Sequence, residues 1–223
     1  MNIILLAPPA AGKGTQSEML INKYNLTQIS TGDLLREIAS SDTNLGKEIK
    51  EVLAEGKLVS DNQVFKVLEN FLDTNKNEAG YIFDGFPRNE IQAKELDKIL
   101  EQRNQKIDYV FLLNLDKSIL LDRITGRRLC RSCGKVYNVN IDSLKPITEG
   151  ICDICGGSLY QRDDDNETSF EVRYQTYIEK TEPLINYYNE KKLLFNINSN
   201  LTKEEVFEQI QSVIEKRWFF WLR

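Results

Sequence analysis

Apolar positions along the chain fall into two patterns, short unbroken runs and stretches spaced three and four apart. The opening run Ile3-Ile4-Leu5-Leu6-Ala7 is apolar at every position, as a strand buried on both faces requires. Pro8 to Gly12 reads as a turn, and Lys13–Tyr24 as a helix with Met19 and Leu20 on its apolar side. Further strands are predicted at Thr27–Ser30, Tyr81–Asp84, 109–115 and 193–197. Helical spacing predicts elements over 32–40 and 45–55, then one from Asp61 carrying Val64, Val67, Leu68, Phe71 and Leu72. Others follow over Glu90–Glu101, 118–128, 167–189 with a bend near Pro183, and 203–216. Ser30 or Thr31, and Ser60 or Asp61, have the small polar side chains of helix caps. Strands alternating with helices imply an α/β class with a parallel sheet covered on both faces.

The segment 129–160 breaks this rhythm with glycines and short polar stretches. It holds all four cysteines, Cys130, Cys133, Cys152 and Cys155, as two C-x-x-C pairs each followed by glycine. Without a basic n-region at the start, the chain does not read as secreted, so the expectation is a closed structural Zn²⁺ tetrathiolate rather than disulfides. Histidine is absent, which removes imidazole catalysis and every histidine-containing metal site. The net charge of −5 argues against a general nucleic-acid binder. Residues 127–162 nevertheless sum to +3 and the remainder to −8. A basic insertion of this kind suits a flap that closes over polyphosphate.

Candidate chemistry begins at Ala7-Pro8-Pro9-Ala10-Ala11-Gly12-Lys13-Gly14-Thr15. A small-residue loop between strand and helix can turn its backbone N–H groups onto phosphate oxygens, with Lys13 supplying a point charge. The pattern G-x-x-x-x-G-K-[ST] is not strictly met, because Ala7 replaces the first glycine and Gly14 precedes Thr15. A plain strand–turn–helix corner is the bland alternative.

Four more motifs follow in order: Ser30-Thr31-Gly32-Asp33-Leu34-Leu35-Arg36, Phe83-Asp84-Gly85-Phe86-Pro87-Arg88, Asp122-Arg123-Ile124-Thr125-Gly126-Arg127-Arg128, and Arg162-Asp163-Asp164-Asp165-Asn166-Glu167 with Arg173. Together with the loop, they make the chain resemble adenylate kinase from Met1 to about Lys216, in the long, bacterial-type form with a four-cysteine zinc-binding lid. The resemblance implies a P-loop nucleoside monophosphate kinase fold, with an AMP-binding helical insertion and a zinc-knuckle lid. It places the core at 1–29, 60–126 and 163–216, the AMP insertion at 30–59 and the lid at 127–162. The aromatic tail 217–223 has no assigned role.

The implied reaction is reversible phosphoryl transfer from ATP, with Mg²⁺, to AMP, giving two ADP. Ala10, Ala11, Gly12, Lys13, Gly14 and Thr15 would wrap the ATP phosphates. Arg123 and Arg127 would reach ATP from the start of the lid, with Val136 and Tyr137 near it and the main chain at Leu201 touching its base. Thr31, Arg36 and Arg88 would hold AMP, with Lys57, Leu58 and Val59 as floor, Gly85, Phe86 and Pro87 as wall, and Gln92 reading the base. Arg162 and Arg173 would bridge the transferred group and the AMP phosphate. Lys13, Arg88, Arg123, Arg162 and Arg173 would be catalytic, and Asp84 would orient Mg²⁺ through water. Asp164 and Asp165 would help close the lid.

Several positions depart from the family pattern, namely Ala7 and Ala10 for glycines, Asn89 for threonine, Asn138 for a frequent histidine and Asn196 for a frequent basic residue. Alternatives are a kinase for another nucleoside monophosphate or a GTP donor, and, more distantly, a zinc-ribbon ATPase acting on nucleic acid. The expectation is a cytoplasmic monomer with no nucleic-acid or membrane partner.

Overall fold

The computed structural model describes residues 1–55 and 57–221, with only the helical backbone for 217–221. Five parallel strands form the central sheet: β1 (Ile3–Leu6), β2 (Thr27–Ser30), β3 (Tyr81–Asp84), β4 (Tyr109–Asn114) and, numbered by chain order, β8 (Leu194–Asn198). Their spatial order is β2-β3-β1-β4-β8. Register is set by pairs such as Ile4 with Phe83 and Ile4 with Val110.

Successive residues of β1 feed opposite faces. Ile4 and Leu6 join one core with Phe83, Val110 and Leu112, whereas Ile3 and Leu5 join another with Ile82, Phe111 and Leu113. The first core is covered by α4 (Asp61–Thr74), α5 (Glu90–Glu101) and α8 (Leu184–Glu190), through Leu68, Leu96 and Tyr188. The second is covered by α1 (Lys13–Tyr24), α6 (Lys117–Gly126) and α9 (Lys203–Trp221), through Leu20, Leu120 and Ile210. Each fully buried Leu or Ile contributes roughly 1.5–3 kcal/mol relative to exposure. The chain leaves β1 toward β2 and β3 on one side and reaches β4 and β8 on the other. The carboxyl end of β1 therefore borders a crevice, where α/β sheets bind ligands.

Helices α2 (Thr31–Ala39) and α3 (Asn44–Ala54) fill the stretch between β2 and α4. Ser30 caps α2 by accepting the Asp33 N–H, and Thr43 caps α3 by accepting the Gly46 N–H. A Cβ on Gly46 would lie 2.5 Å from the Ser41 carbonyl, so only glycine permits this tight approach of the two helices.

Two helices predicted as continuous end early. The 118–128 helix stops at Gly126, and β5 (Arg127–Cys130) pairs antiparallel with β6 (Val136–Asn138) and β7 (Leu159–Tyr160). Arg127 takes an extended backbone because its side chain pairs with Asp165 and its main chain with Asn138, and these outweigh local helix propensity. The 167–189 helix is divided into α7 (Glu167–Thr176), a wider-turn segment Tyr177–Thr181, and α8. Pro183 cannot donate its own hydrogen bond, and the Glu182 N–H instead reaches the Tyr177 carbonyl at 2.8 Å. Helix α9 runs past the predicted end at 216 to Trp221. The side chains of the 217–223 tail lie outside the described residues. Among the described residues, no helix is long and apolar enough to cross a membrane.

Candidate functional site

The loop after β1 has the backbone of an anion cradle. Ala10 and Gly12 have φ of +65° and +90°, while Ala11 between them does not share that sign. Such alternation turns successive N–H groups to one side. Gly12 is the cap of α1 and offers no side chain to its first amides. Those amides remain available to an oxygen ligand. Ala7 keeps an ordinary backbone, so of the two replaced glycines only Ala10 sits where a methyl group is strained.

Lys13 Nζ curls back onto this loop, donating to the Ala7 carbonyl at 3.0 Å and the Pro8 carbonyl at 3.2 Å. Burial lowers its pKa to about 8; Asp84 opposes that shift, and Arg88, Arg173 and Arg127 add to it. Asp84 ends β3 and accepts from Gln28 Nε2 at 3.1 Å. The arginines form the same electrostatic cluster. Burial lowers the pKa of Arg88, which also feels Arg36. Burial lowers Arg162, which feels Arg36 and Arg127, and brings Arg173 down to about 10. Arg123, also lowered by burial, points an Nη1 to 3.8 Å from where a Cβ on Gly12 would stand.

Carboxylates hold these cations in place. Arg127 pairs with the fully buried Asp165 through two hydrogen bonds, and Arg173 with Asp164 at 3.0 Å. Burial alone would depress Arg127, but the Asp165 hydrogen bonds keep its pKa above the ordinary value. Asp33 lies between Arg36 at 2.5 Å and Arg162 at 3.1 Å. Arg123 Nε and Arg162 Nε are buried with no hydrogen-bond partner among the described residues. A buried, unsatisfied donor is costly, and an arriving anion removes that cost.

A pocket opens beside this cluster, between α2, the stretch before α4, and the turn after β3. Every acceptor-side residue expected from sequence lines it except Pro87 and Arg162. Its walls also include Gly32, Leu35, Leu53, Val64 and Asp164. Thr31 Oγ1 donates to the Gly85 carbonyl at 3.1 Å, and Arg88 Nε donates to the same carbonyl at 2.7 Å. Gly85 has φ +73°, and a Cβ there would stand 3.1 Å from Arg88 Nη2.

On the donor side, Leu201 and Val136 are exposed. The Tyr137 side chain instead turns away from the cleft: its hydroxyl meets Cys152 Sγ at 3.4 Å and accepts the Asp153 N–H at 2.8 Å. Asn138 likewise turns inward, donating to the Arg123 carbonyl at 2.8 Å. Two residues at the site were not singled out from sequence. Thr181, in the wide turn before Pro183, donates to the Arg88 carbonyl at 3.0 Å. Asp61 read as a helix cap, but its carboxylate accepts from Asn89 and Gln92. Neither has a local motif, because each acts across a long sequence separation.

The four cysteine Sγ atoms lie within 4.8 Å of one another, with Cys130–Cys155 at 3.5 Å and Cys133–Cys152 at 3.6 Å. A zinc tetrathiolate with bonds near 2.3 Å has sulfur–sulfur edges of about 3.8 Å, so the cluster is compatible with zinc. The surrounding core is small, with only Cys130, Tyr137 and Cys152 buried and Leu159 packed on them. The Tyr137 hydroxyl lowers the Cys152 pKa to about 6, while that of Cys155, against the Gly157 N–H, is pushed up to about 12 by the neighbouring sulfurs, so the four thiols share their charge unevenly.

The family model described as adenylate kinase matches residues 5–193. The adenylate kinase of Thermodesulfovibrio yellowstonii is 44% identical over 97% of this chain and 100% of its own length. That of Archaeoglobus fulgidus is 44% identical over 97% and 99%, and that of Thermosipho africanus 41% over 97% and 100%.

Proposed function

The chain belongs to the adenylate kinase family, and we propose that the loop, arginine cluster and pocket described above are where it carries out the family reaction. That reaction is reversible transfer of a phosphoryl group from ATP, with Mg²⁺, to AMP, giving two ADP. The observation that supports this reading most is the convergence of Lys13, Arg36, Arg88, Arg127, Arg162 and Arg173 in one electrostatic cluster beside the pocket lined by Thr31, Gly85 and Gln92.

Phosphoryl transfer asks little covalent help of a protein. It asks for aligned oxygens, charge neutralisation and exclusion of water. The loop Ala10–Thr15 would hold the donor phosphates, with Lys13 leaving the Ala7 and Pro8 carbonyls for the β/γ oxygens. Arg123 and Arg127 would neutralise the donor side. Thr31, Arg36 and Arg88 would seat the acceptor phosphate, and Arg162 and Arg173 would follow charge onto the transferring group. Their guanidinium forks match phosphate oxygens. Asp33, the carboxylate now between Arg36 and Arg162, would yield its place to the acceptor phosphate. Asp84 would hold the water shell of the Mg²⁺ that accompanies ATP, and that ion would supply further neutralisation of the donor phosphates.

Residues 127–162 would act as the lid, 30–59 as the acceptor insertion and the rest to 216 as the core. A structural zinc on the four cysteines would staple a lid whose own core is too small to hold it. The protein would work as a cytoplasmic monomer with no nucleic-acid partner.

The direct test is a coupled assay with AMP, GMP, CMP and UMP as acceptors. AMP should be preferred, and a higher rate on another acceptor would refute the assignment. Lys13→Ala and Arg88→Ala should each lower turnover on the order of 100-fold or more while the fold persists by circular dichroism. Near-normal turnover in either would contradict the roles given.

A further inference from the structure

Gln92 stands in the acceptor pocket with 2% of its surface exposed. A carboxamide has two ends of nearly equal shape, one donating and one accepting. Half a turn about its last bond inverts the pattern it offers. Two partners oppose that turn here. The Arg88 backbone N–H, a donor only, lies 2.7 Å from Gln92 Oε1. The Asp61 carboxylate, an acceptor only when ionised, takes the Nε2 N–H at 2.7 Å. Asp61 also accepts from Asn89 Nδ2 at 3.1 Å, and Asn89 Oδ1 in turn accepts the Gln92 backbone N–H at 2.8 Å. Asp61 itself is not part of the pocket lining.

After these bonds, Gln92 retains one N–H and one acceptor lone pair, in a set order. A 6-aminopurine presents a donor at position 6 beside an acceptor at N1. A 6-oxopurine presents an acceptor at position 6 beside a donor at N1. In one pose, the two bases need opposite orientations of the same amide. We infer that Asp61 is a positioning residue that holds Gln92 in a single orientation, and thereby makes the acceptor site select 6-amino over 6-oxo purine nucleoside monophosphates. This rests on the reading that Gln92 faces the acceptor base.

The test is steady-state kinetics with MgATP and either AMP or inosine monophosphate, a 6-oxopurine. Asp61→Leu removes the acceptor, and Asp61→Ala does so without added bulk should the leucine variant melt early. Both should raise KM for AMP roughly tenfold with a much smaller change in KM for ATP and in kcat. The AMP-to-IMP ratio of kcat/KM should fall roughly tenfold. Asp61→Asn keeps an Oδ1 that can accept from both amides, and it should restore the ratio. Gln92→Ala should lose selectivity by itself, and adding Asp61→Ala to it should change nothing further. An unchanged ratio in Asp61→Ala, beside a collapsed ratio in Gln92→Ala, overturns the role of Asp61 and leaves the site reading intact. Equal losses on AMP and IMP overturn it too, as a merely structural effect. An unchanged ratio in Gln92→Ala overturns the base-reading role of Gln92, and the inference with it.

Discussion

The methyl group of Ala10 sits at φ +65°, where an L side chain costs roughly 1–2 kcal/mol. Ala10→Gly removes that strain but gives back about 0.4–1 kcal/mol of unfolded-state entropy. The variant should therefore be slightly more stable, with a melting temperature raised by roughly 2–4 °C in calorimetry if the net gain nears 1 kcal/mol. A lower melting temperature would mean the loop carries no such strain. Lys13 is the other residue with a readable individual effect. Its pKa of about 8 in the nucleotide-free protein means that its positive charge is complete below that pH and lost above it. Since kcat/KM reports the free enzyme, kcat/KM for ATP should hold below about pH 8 and fall toward tenfold per pH unit above it. Arg173, at about 10, begins to lose charge only well above that pH, so the first fall above about pH 8 belongs to Lys13. A flat profile to about pH 9 would show that Lys13 is not titrating there.

At the scale of elements, the junction between α6 and β5 is the most constrained. A Cβ on Gly126 would collide with the Asn138 side chain, and would stand 2.8 Å from that of Asn140. Neither amide can easily withdraw. Asn138 donates to the Arg123 carbonyl at 2.8 Å and Asn140 to the Asp122 carbonyl at 3.0 Å. Gly126→Ala should cost about 1–3 kcal/mol, read as a lower urea midpoint. This junction connects the Arg123 helix to the three-stranded sheet, which gives a physical use to the asparagine at position 138. Its amide is spent on anchoring that junction to the Arg123 carbonyl. The wide turn before Pro183 is comparable, since it delivers Thr181 to the carbonyl of Arg88.

Across the whole molecule, cations and carboxylates from distant segments meet above the ends of β1 and β3. Asp33 touches Arg162 across 129 positions of sequence, and Arg127 meets Asp165 across 38. The cysteine cluster is the other long-range closure. Cys130→Ser should release bound metal and lower the melting temperature, by roughly 2–4 °C for each kcal/mol lost. Metal analysis and calorimetry on the same sample check this, and full metal content with unchanged melting would remove the structural role.

The strand β3 and the helices α1 and α5 were legible to the residue, because an apolar run and three-four spacing are local signals. So were the cysteine pairs, which the fold gathers into one cluster, and the small-residue turn between β1 and α1, whose residues are neighbours in sequence. The bend expected near Pro183 came as a full division of the 167–189 helix, whereas the pairing of Arg127 with Asp165, the inward turn of Tyr137 and the orientation of Gln92 were not legible. Arg127 finds Asp165 across 38 positions, Tyr137 finds Cys152 across 15 and Gln92 finds Asp61 across 31, and the free energy of such contacts exceeds the few tenths of a kcal/mol that local propensity contributes. Side-chain type set what each residue was able to bond; only the packed chain chose with whom.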